Sequence, residues 1–308
     1  MNKKIFITGG SGYLGKELIK KLYPDNEITI YSRDEAKQYF LKKQYPNLNC
    51  VIGDVRNYEL LKKASKNNDI GIFAASLKQI ETCHNNYEEA EEIIVKGAFN
   101  SRRIAEENNF ESACFISSDK SRAATTIYGA MKYVAGESFI SGSSEVLLST
   151  AIYGNIINST GSIIPLIWNS LNNNIPITLY SAEMTRFLLT IEEAVSLIEK
   201  SLKYTNVNTI PTAKSFLISD LFDIYKENYG LKFNISNPRS GEKIHEIMAS
   251  NEEISRIEFK KEDNIYLLHQ QKTFSQVSFA NGEYSSKDNC ISKNELNLFL
   301  KKFNYFKP

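Results

Sequence analysis

Two pairs of ionisable residues lie close together in the middle of the sequence. Tyr128 and Lys132 are four residues apart, and Asp119 and Lys120 precede them after an apolar run. On a helix, a spacing of four places both side chains on one face, so the Lys132 ammonium can lower the pKa of the Tyr128 phenol. Such a phenol can accept a proton from a sugar hydroxyl while a nicotinamide accepts the hydride. Alternatively, the pair faces solvent, as most pairs with this spacing on helices do.

A glycine-rich turn near the N-terminus could bind the phosphates of such a cofactor. Gly9, Gly12 and Gly15 follow an apolar run and open a helical pattern, with Ser11 and Tyr13 as neighbouring candidate contacts. Gly9 permits a tight turn, Gly12 lets the backbone approach a pyrophosphate, and Gly15 lets the helix pack closely on the sheet. The helix N-terminus then faces the phosphates. Glycine-rich turns also occur as plain loops, but the strand before this one and the helix after it favour a dinucleotide site.

The end of the second predicted strand indicates which nicotinamide cofactor is bound. An acidic residue there would bind the ribose hydroxyls, whereas a basic residue would accept the 2′-phosphate. Ser32 and Arg33 occupy this position and Lys37 follows one helical turn later, so we predict NADP. Alternatively, Arg33 is a solvated residue at a helix start and Asp34 is the N-cap of that helix.

The ends of two further predicted strands supply the remaining cofactor contacts. Asp54 and Val55 follow the third strand and are expected to meet the adenine. The alternative for this pair is a loop aspartate beside a core valine. Ala74 and Ala75 end the fourth strand and complete the predicted cofactor site.

The elements that must position these residues alternate between short β-branched runs and longer amphipathic stretches, which predicts a parallel sheet covered by helices. The predicted strands are Lys4–Thr8, Glu27–Tyr31, Cys50–Ile52, Ile70–Ala74, Ser112–Ser117 and Val146–Ile152. The predicted helices are Gly15–Leu22, Tyr58–Ser65 and Glu88–Asn108, followed by shorter elements at Ile163–Leu171, Ile191–Lys203 and Leu217–Tyr229. We expect an α/β, Rossmann-type, doubly wound domain over residues 1–153, completed by part of 186–205. Residues 154–308 should form mainly a smaller substrate-binding domain.

Composition narrows the classes of partner and compartment. The chain has 37 basic and 36 acidic side chains and no long run of one sign, so neither nucleic acid nor an anionic membrane surface is indicated. Widely spaced cysteines favour buried free thiols in a reducing compartment, and these are Cys50, Cys83, Cys114 and Cys290. No apolar segment approaches the length of a membrane span, and no metal-ligand spacing occurs. We expect a cytoplasmic protein with no metal.

The sequence resembles one known family nearly from end to end. Besides the glycine turn and the Tyr128 helix, the matching strings are Tyr31-Ser-Arg-Asp34, Gly53-Asp-Val55, Ala74-Ala-Ser-Leu-Lys-Gln79, Ser118-Asp-Lys120, Tyr153-Gly-Asn155, Gly161-Ser162, Met184-Thr-Arg-Phe187, Gly241-Glu-Lys-Ile-His-Glu246 and Tyr284-Ser-Ser286. They are similar to strings of the inverting UDP-N-acetylglucosamine 4,6-dehydratases, which are extended short-chain dehydrogenases of the polysaccharide biosynthesis type. The Asp119-Lys120 pair is the most informative, because retaining relatives usually carry Asp-Glu there and 4-epimerases carry neither.

The resemblance implies a dehydration of a nucleotide-activated sugar with tightly bound NADP. Tyr128 would deprotonate the 4-hydroxyl, Lys120 would take the proton from carbon 5, and protonated Asp119 would give a proton to the departing 6-hydroxyl. The hydride removed from carbon 4 would return to carbon 6, so the cofactor ends as it began. Reprotonation of carbon 5 from the opposite face would give the inverted product. Alternatively, Asp119 and Lys120 form an exposed ion pair on a loop.

The same resemblance implies four substrate contacts. Lys78 should lie near the sugar and diphosphate, and Asn155 near the diphosphate. Arg186 and Arg239 are candidates for uridine and phosphate, because a guanidinium can bind phosphate oxygens in a bidentate way. Each of these residues could instead form a surface salt bridge. The segment Glu242–Glu246, with its histidine, is expected to be a structural edge of the cap.

Four departures from the family pattern leave the function open. Ile152 and Thr160 stand where arginines are usual, Ile94 replaces an asparagine in the long helix, and Ala124-Thr125 replaces Asn-Pro. The loss of two positive charges leaves the nucleotide base undecided between uracil and guanine. A nucleotide-sugar 4-epimerase, which would not need the Asp-Lys pair, and a non-catalytic NADP-binding sensor are the alternatives. We expect a homo-oligomer, a dimer or hexamer, with Glu88–Asn108 as a candidate dimer face.

Overall fold

The computed structural model describes residues 2–238, 241–274 and 277–306. The strands within these residues are β1 (Lys4–Thr8), β2 (Glu27–Ser32), β3 (Asn49–Ile52), β4 (Ile70–Phe73), β5 (Ser112–Ile116), β6 (Leu147–Ala151), β7 (Ile177–Leu179), β8 (Thr185–Leu188), β9 (Val207–Pro211), β10 (Lys214–Leu217), β11 (Phe233–Ile235), β12 (Ile247–Ala249), β13 (Ile257–Lys260), β14 (Ile265–His269) and β15 (Tyr284–Ser285). The helices are α1 (Tyr13–Leu22), α2 (Glu35–Gln44), α3 (Tyr58–Ala64), α4 (Ile80–Asn85), α5 (Tyr87–Glu91), α6 (Gly97–Glu107), α7 (Ile127–Ile140), α8 (Ile163–Asn173), α9 (Ile191–Ser201), α10 (Ile218–Tyr229) and α11 (Lys293–Lys302).

A nine-stranded sheet forms the centre of the molecule, in the order β13-β14-β9-β6-β5-β4-β1-β2-β3. The seven strands from β9 to β3 run parallel, whereas β14 and β13 add an antiparallel edge. The strand order reverses direction between β1 and β4, as in doubly wound folds, and ligands of such folds bind at the carboxyl ends of the strands. The predicted Rossmann-type α/β fold is therefore confirmed, and all six predicted strands are present within two residues of their expected ends.

Both faces of the sheet are buried because helices cover each side. Along β1, Phe6 packs into one apolar cluster with Phe73 and Phe115, while Ile5 and Ile7 pack into the other. This alternation follows from the two-residue period of a strand, and near-continuous apolar runs are typical of parallel strands covered on both faces. The buried sheet is the rigid base from which the loops at its carboxyl edge project.

The helices differ from the sequence predictions at three places. Helices α4 and α11 were not expected, whereas α2 begins directly after Asp34, as the capping alternative for that residue required. The long helix expected over residues 88–108 is instead made of α5, a π-helical turn at Glu92–Lys96 and α6. The π turn contains the buried Ile94, one of the positions that departs from the family pattern.

The second half of the chain contributes to two parts of the molecule. Helix α9 packs against α1, and its buried residues join the apolar cluster on that face of the sheet. The central sheet extends beyond residue 205, because β9, β14 and β13 form one of its edges. A separate apolar cluster unites α8, α10 and α11 and forms the core of the cap.

Three further expectations concern cysteines, histidines and membranes. All four cysteines are free, but Cys50 is only partly buried and Cys290 is exposed, so the expectation of buried thiols was wrong for these two. His84 is exposed on α4, whereas His269 lies in β14 and pairs with Glu258. Within residues 2–238, 241–274 and 277–306, no helix has the length and apolar character needed to cross a membrane.

Candidate active site

The candidate catalytic residues lie at the carboxyl ends of β5 and β6. A 3-10 turn, Asp119–Ser121, follows β5, and the Asp119 backbone N–H donates to the Tyr153 carbonyl beyond β6 at 3.2 Å. Helix α7 begins soon afterwards, with the Thr126 hydroxyl accepting a hydrogen bond from the Gly129 N–H at 3.1 Å. Gly129 has no side chain and lies against the Lys120 carbonyl, where a Cβ would clash. The turn and the first helical turn are thereby held together.

Asp119 and Lys120 belong to a buried cluster of charges. The Lys120 ammonium donates to Glu246 Oε1 at 3.0 Å, to Asn155 Oδ1 at 3.1 Å and to Asp119 Oδ1 at 3.4 Å. Asp119 and Glu246 are 1% and 2% exposed, and the Ser118 hydroxyl donates to Asp119 at 3.0 Å. The alternative of an exposed ion pair on a loop is therefore wrong.

The two acids of this cluster hold different charges. Burial raises the pKa of Asp119, and the negative charge of Glu246 adds to this effect. Burial also disfavours ionised Glu246, but the positive charges of Lys120 and Arg186 keep the pKa of Glu246 below its ordinary value. For Lys120, burial opposes the charged form, yet Asp119 and Glu246 raise its pKa above the ordinary lysine value. The cluster thus favours a charged Lys120 beside an ionised Glu246, whereas burial and Glu246 shift Asp119 toward its protonated form.

Tyr128 and Lys132 are both buried on α7, so the solvent-facing alternative for this pair is also wrong. Burial raises the pKa of Tyr128 to about 12, while the charge of Lys120 and a hydrogen bond from Ser118 act in the opposite direction. Burial lowers the pKa of Lys132 to about 7. The charge that most favours the Tyr128 phenolate is therefore that of Lys120, whereas the sequence analysis predicted Lys132 for this effect.

The Lys132 side chain contacts a main-chain carbonyl and an aromatic ring, both of β5. Its ammonium donates to the Ile116 carbonyl at 2.8 Å and lies 4.8 Å from the centre of the Phe115 ring. Both partners belong to β5, so the side chain runs along the end of that strand. A group of this kind, close to neutral by virtue of its burial, can donate hydrogen bonds to a ribose without a strong ion pair to break first.

The glycine turn has the geometry that a pyrophosphate needs. Gly9 has a φ of +71°, and a Cβ there would lie 2.9 Å from the Ala75 nitrogen, so the turn and the end of β4 are in close contact. A Cβ on Gly12 would approach only the Gly9 carbonyl, at 3.1 Å, and α1 begins at the next residue. The N–H groups of the first turn of α1 therefore face open space next to Gly12, which suits a phosphate group. The structure fits a dinucleotide at this position.

The close packing that the sequence assigned to Gly15 is arranged differently. A Cβ on Gly15 would clash with the backbone of Gly10 in the turn rather than with the sheet. A Cβ on Gly10 would in turn clash with Ile30 on β2. The helix thus packs on the turn, and the turn packs on the sheet. Ser11 lies buried within this turn, and Tyr13 is half-buried at the start of α1.

The end of β2 is followed by an exposed arginine and by an aspartate whose carboxylate is already bonded to Lys37. Asp34 caps α2 by accepting from the Lys37 N–H at 2.9 Å, and its carboxylate also pairs with the Lys37 ammonium at 2.6 Å. Arg33 is exposed, with Nη1 at 3.7 Å from Asp54 Oδ2. The Ser32 hydroxyl accepts from Gln38 at 2.8 Å. The capping role foreseen for Asp34 is correct.

Asp54 and Val55 lie where the sequence placed them, after β3, but the aspartate is already bonded. Its carboxylate accepts from Arg56 Nε at 2.9 Å and Nη2 at 2.8 Å, and these contacts lower the pKa of Asp54. Val55 is buried and packs in the apolar cluster that contains Tyr31. A contact of this pair with adenine is not shown by the structure and stays a prediction.

The predicted substrate residues fall into two groups. Asn155 is exposed and contacts Lys120, and the exposed Lys78 donates from its ammonium to the Thr160 carbonyl. Arg186, by contrast, is buried, and its guanidinium bonds to Glu242 at 2.6 Å and to the Thr185 carbonyl at 2.7 Å. Arg239 lies outside the described residues.

The family model described as polysaccharide biosynthesis protein matches residues 5–269. The chain belongs to this family. The inferred resemblance is thereby confirmed, and the family is one of extended short-chain dehydrogenases. An inverting UDP-N-acetylglucosamine 4,6-dehydratase from Campylobacter jejuni is 32% identical over 89% of this chain and 86% of its own.

Other proteins similar to this chain carry different names. An uncharacterized membrane protein from Methanocaldococcus jannaschii is 32% identical over 99% of this chain and 97% of its own length. A UDP-glucose 4-epimerase from Rickettsia massiliae is 31% identical over 83% of this chain and 80% of its own. Among solved structures, Pen from Bacillus thuringiensis superposes with a TM-score of 0.89 at 26% identity, covering 99% of this chain and 98% of that one. This chain is therefore similar in sequence to relatives with different names, and it shares its fold with Pen.

Glu246 is the residue of the site that the sequence did not reveal. It was placed in a structural edge of the cap, yet its carboxylate contacts Lys120, which is 126 residues earlier in the chain. Three of the family-like strings surround it: Thr185 accepts from or donates to His245 Nδ1 at 2.8 Å, and the Glu246 N–H donates to Ser286 at 2.9 Å. The occurrence of several such strings in the cap was the available signal that the segment serves the site.

Proposed function

We propose that this chain is a nucleotide-sugar 4,6-dehydratase, with UDP-N-acetylglucosamine as substrate and inversion at carbon 5. The observation that carries the proposal is the buried cluster of Asp119, Lys120 and Tyr128 at the carboxyl end of β5. A phenol, an ammonium and a carboxyl group are the three proton-transfer groups that a dehydration through a 4-keto sugar requires. The identity to the Campylobacter jejuni dehydratase supports the choice of reaction and substrate.

Each residue has a defined proton to move. Tyr128 accepts the proton of the 4-hydroxyl in its phenolate form. Burial raises the pKa of Tyr128 to about 12 in the free protein, so bound substrate and cofactor must lower that pKa before the transfer. Lys120 in its neutral form takes the proton from carbon 5, which the 4-keto group acidifies. Asp119, whose raised pKa keeps a proton on it, donates that proton to the leaving 6-hydroxyl, so that water departs. Return of a proton to carbon 5 from the opposite face inverts that centre.

We further propose that the cofactor is NADP. When bound, the nicotinamide supplies the acceptor for the hydride of carbon 4 and the donor of the hydride to carbon 6, so no net oxidation occurs. The glycine turn and the N-terminus of α1 would hold the pyrophosphate, and Lys132 would bind the nicotinamide ribose. Ser32, Arg33 and Lys37 would hold the 2′-phosphate. Exposure of Arg33 at the end of β2 supports this assignment.

The substrate contacts that we propose come from Asn155 and Lys78, on the loops after β6 and β4. Both side chains are exposed, and Asn155 contacts Lys120, which supports contacts with the diphosphate and the sugar. Thr160 is neutral where the family usually has an arginine, so Lys78 would carry more of the charge complement to the diphosphate.

A 4-epimerase is the second candidate, because a relative with that name is 31% identical over most of the chain. An epimerase would use Tyr128 and the cofactor but would have no role for protonated Asp119 or for Lys120. The two reactions differ in mass balance, since dehydration removes one water and epimerisation removes nothing.

Mass spectrometry of the product therefore tests the proposal. We expect the purified protein with NADP to convert UDP-N-acetylglucosamine into a product lighter by one water, and the Lys120→Met variant to form none. An isomer of unchanged mass, formed equally by wild type and Lys120→Met, would reject the dehydratase in favour of the epimerase. If wild type, Tyr128→Phe and Lys120→Met all form no product while NADP still binds, the sensor alternative is supported.

A further inference from the structure

Glu246 is a buried carboxylate that the proposed proton transfers do not use. Its Oε1 atom lies 3.0 Å from the Lys120 ammonium and 3.5 Å from Arg186 Nε. The other oxygen, Oε2, is buried and has no hydrogen-bond partner in the part of the chain that the structure describes. An unpartnered buried oxygen is costly, so the carboxylate is held there by its two cations and by its backbone.

The cap fixes the position of this carboxylate firmly. The Glu246 N–H donates to the Ser286 hydroxyl at 2.9 Å, and the Ser286 N–H donates to the Glu246 carbonyl at 2.8 Å. Arg186 binds the same loop through the Lys243 and Ile244 carbonyls at 3.2 and 3.3 Å. The backbone of Glu246 therefore stays with the cap if the Lys120 side chain moves toward a substrate.

We propose that Glu246 is a positioning residue, which docks the Lys120 ammonium away from the sugar and releases it as a base only when substrate binding breaks the contact. Arg186 acts through Glu246 by fixing its carboxylate, rather than by binding the nucleotide. The inference rests on the proposed dehydratase function, in which Lys120 must lose its proton before it can accept one from carbon 5.

Two acids face Lys120, and the charges of both raise its pKa. Glu246 lies at 3.0 Å and its own pKa is lowered, whereas Asp119 lies at 3.4 Å and its own pKa is raised. From α7 the Tyr128 phenol faces it, and from the loop after β6 the neutral Asn155 faces it. Arg186 on β8 is a further cation near Lys120, and its charge lowers the pKa of the lysine.

Lys243 completes the set of charges around the cluster. It lies on the cap loop and donates to the Arg122 carbonyl. Burial lowers the pKa of Lys243, Glu246 and Asp119 raise it, and the charge of Lys120 lowers it. Removal of the Glu246 charge would leave Lys120 beside two cations, Arg186 and Lys243, with Asp119 as its remaining acidic neighbour at 3.4 Å. The pKa of Lys120 should then fall toward or below the ordinary lysine value.

The test is a titration of Lys120 in the protein without substrate. Lysine labelled with ¹³C at Cε reports the protonation of Nζ, and the Lys120 signal is the one that disappears in Lys120→Met. In Glu246→Gln, we expect its midpoint to fall by about 1 to 3 pH units relative to wild type, the range for loss of an adjacent opposite charge. The matched control is Glu242→Gln, which removes a neighbouring carboxylate that bonds Arg186, and we expect it to leave the midpoint close to that of wild type.

Two outcomes would overturn the proposal. One is an unchanged Lys120 midpoint in folded Glu246→Gln. The other needs no variant: in wild type, the proposal requires Lys120 to titrate above the ordinary lysine value of about 10.4, so earlier deprotonation than that of surface lysines contradicts it. The second measurement remains decisive if Glu246→Gln does not fold.

Activity provides a separate readout. The rise of kcat/KM with pH should shift to lower pH by the same 1 to 3 units in Glu246→Gln, because less alkali is needed to form neutral Lys120. A fall in activity at every pH with an unshifted profile would indicate a merely structural role and would also contradict the proposal. Failure of the dehydratase proposal looks different, because wild type would then release no water while the substrate-free titration of Lys120 would still give its result.

Discussion

Lys120, which is partly buried, and Lys132, which is buried, are twelve residues apart, and their surroundings shift their pKa values in opposite directions. Lys132 lies over the Phe115 ring and donates to a main-chain carbonyl, and burial lowers its pKa to about 7. Lys120 is also penalised by burial, but Asp119 and Glu246 outweigh that penalty and raise its pKa. The same residue type is therefore nearly neutral in one place and firmly charged in the other.

The difference follows from what the fold brings to each lysine. The surroundings of Lys132 come from the first half of the chain, from β5 and from the Cys83 thiol of α4. The environment of Lys120 is completed from the cap, which supplies Glu246, and from the loop after β6, which supplies Asn155. The cofactor side of the site is thus built locally by the sheet, whereas the substrate side is built by contact with the second half of the chain.

The largest expected effect separates the two sides in catalysis. Tyr128→Phe and Lys120→Met should each lower dehydration by about 10²- to 10⁴-fold, the range for loss of a general acid or base. Only Lys120→Met should still oxidise carbon 4, so reduced nicotinamide should accumulate and its near-ultraviolet absorbance should rise in the presence of the UDP sugar. Absence of this absorbance in Lys120→Met would show that Lys120 acts before or during oxidation and would break the division of roles.

The change in stability should depend on pH differently for the two lysines. Lys120→Met leaves buried Glu246 with the more distant Arg186 as its cation and should lower the free energy of unfolding by about 3 kcal/mol. This loss should be nearly constant between pH 6 and 9, because the raised pKa keeps wild-type Lys120 charged throughout that range. The pKa of Lys132 is depressed in the folded state, so between about 7 and 10.4 the unfolded chain binds more protons.

The stability of wild type relative to Lys132→Met should therefore rise with pH across that window, by up to about 1.4 kcal/mol per pH unit. Urea unfolding at several pH values, without cofactor, measures both differences. Parallel pH dependence in Lys120→Met and Lys132→Met would mean that the two environments do not differ as described.

A smaller effect tests the assignment of the cofactor side. Arg33→Ala should weaken NADP binding by about 10- to 100-fold, because it removes a charge-assisted contact with the 2′-phosphate, and should leave NAD binding nearly unchanged. Fluorescence titration with both cofactors measures the Kd values, and Lys20→Ala is a control that removes an exposed lysine on α1. Equal weakening of NADP and NAD would contradict the assignment of Arg33 to the 2′-phosphate.

The smallest effect concerns the edge of the substrate side. Asn155→Ala removes the hydrogen bond that the Lys120 ammonium donates to a neutral amide, and it leaves both acids in place. We expect kcat/KM to fall by about 3- to 10-fold, as for loss of a single hydrogen bond. A loss as large as that in Lys120→Met would mean that Asn155, and not Glu246, is the main partner of the lysine.

The sequence allowed prediction of the locally built side of the site. Gly9, Gly12 and the Tyr128 helix are recognisable because each depends on residues within one turn or one strand-to-helix unit. The Asp34 cap was foreseen as an alternative for the same reason. The close contact of Gly15 with Gly10 could not be foreseen, since a spacing shows where a glycine is needed and not which atoms approach it.

The side of the site that is built from residues distant in the sequence was harder to predict. Glu246 contacts a lysine 126 residues away, and the pairing of one acid with one buried base has no signature in spacing. The π turn that contains Ile94 was hidden by a continuous helical pattern on both sides. Helix α2 was indicated through its Asp34 cap and not through a buried face, because its apolar residues are partly exposed.

The fate of the hydrogen on carbon 4 tests the central claim most directly. UDP-N-acetylglucosamine carrying deuterium at carbon 4 would be incubated with the protein and NADP in ordinary water, and the product analysed by NMR and mass. We predict a product that has lost one water and carries the deuterium on carbon 6. Deuterium retained on carbon 4 of an epimer that keeps its 6-hydroxyl would contradict the account.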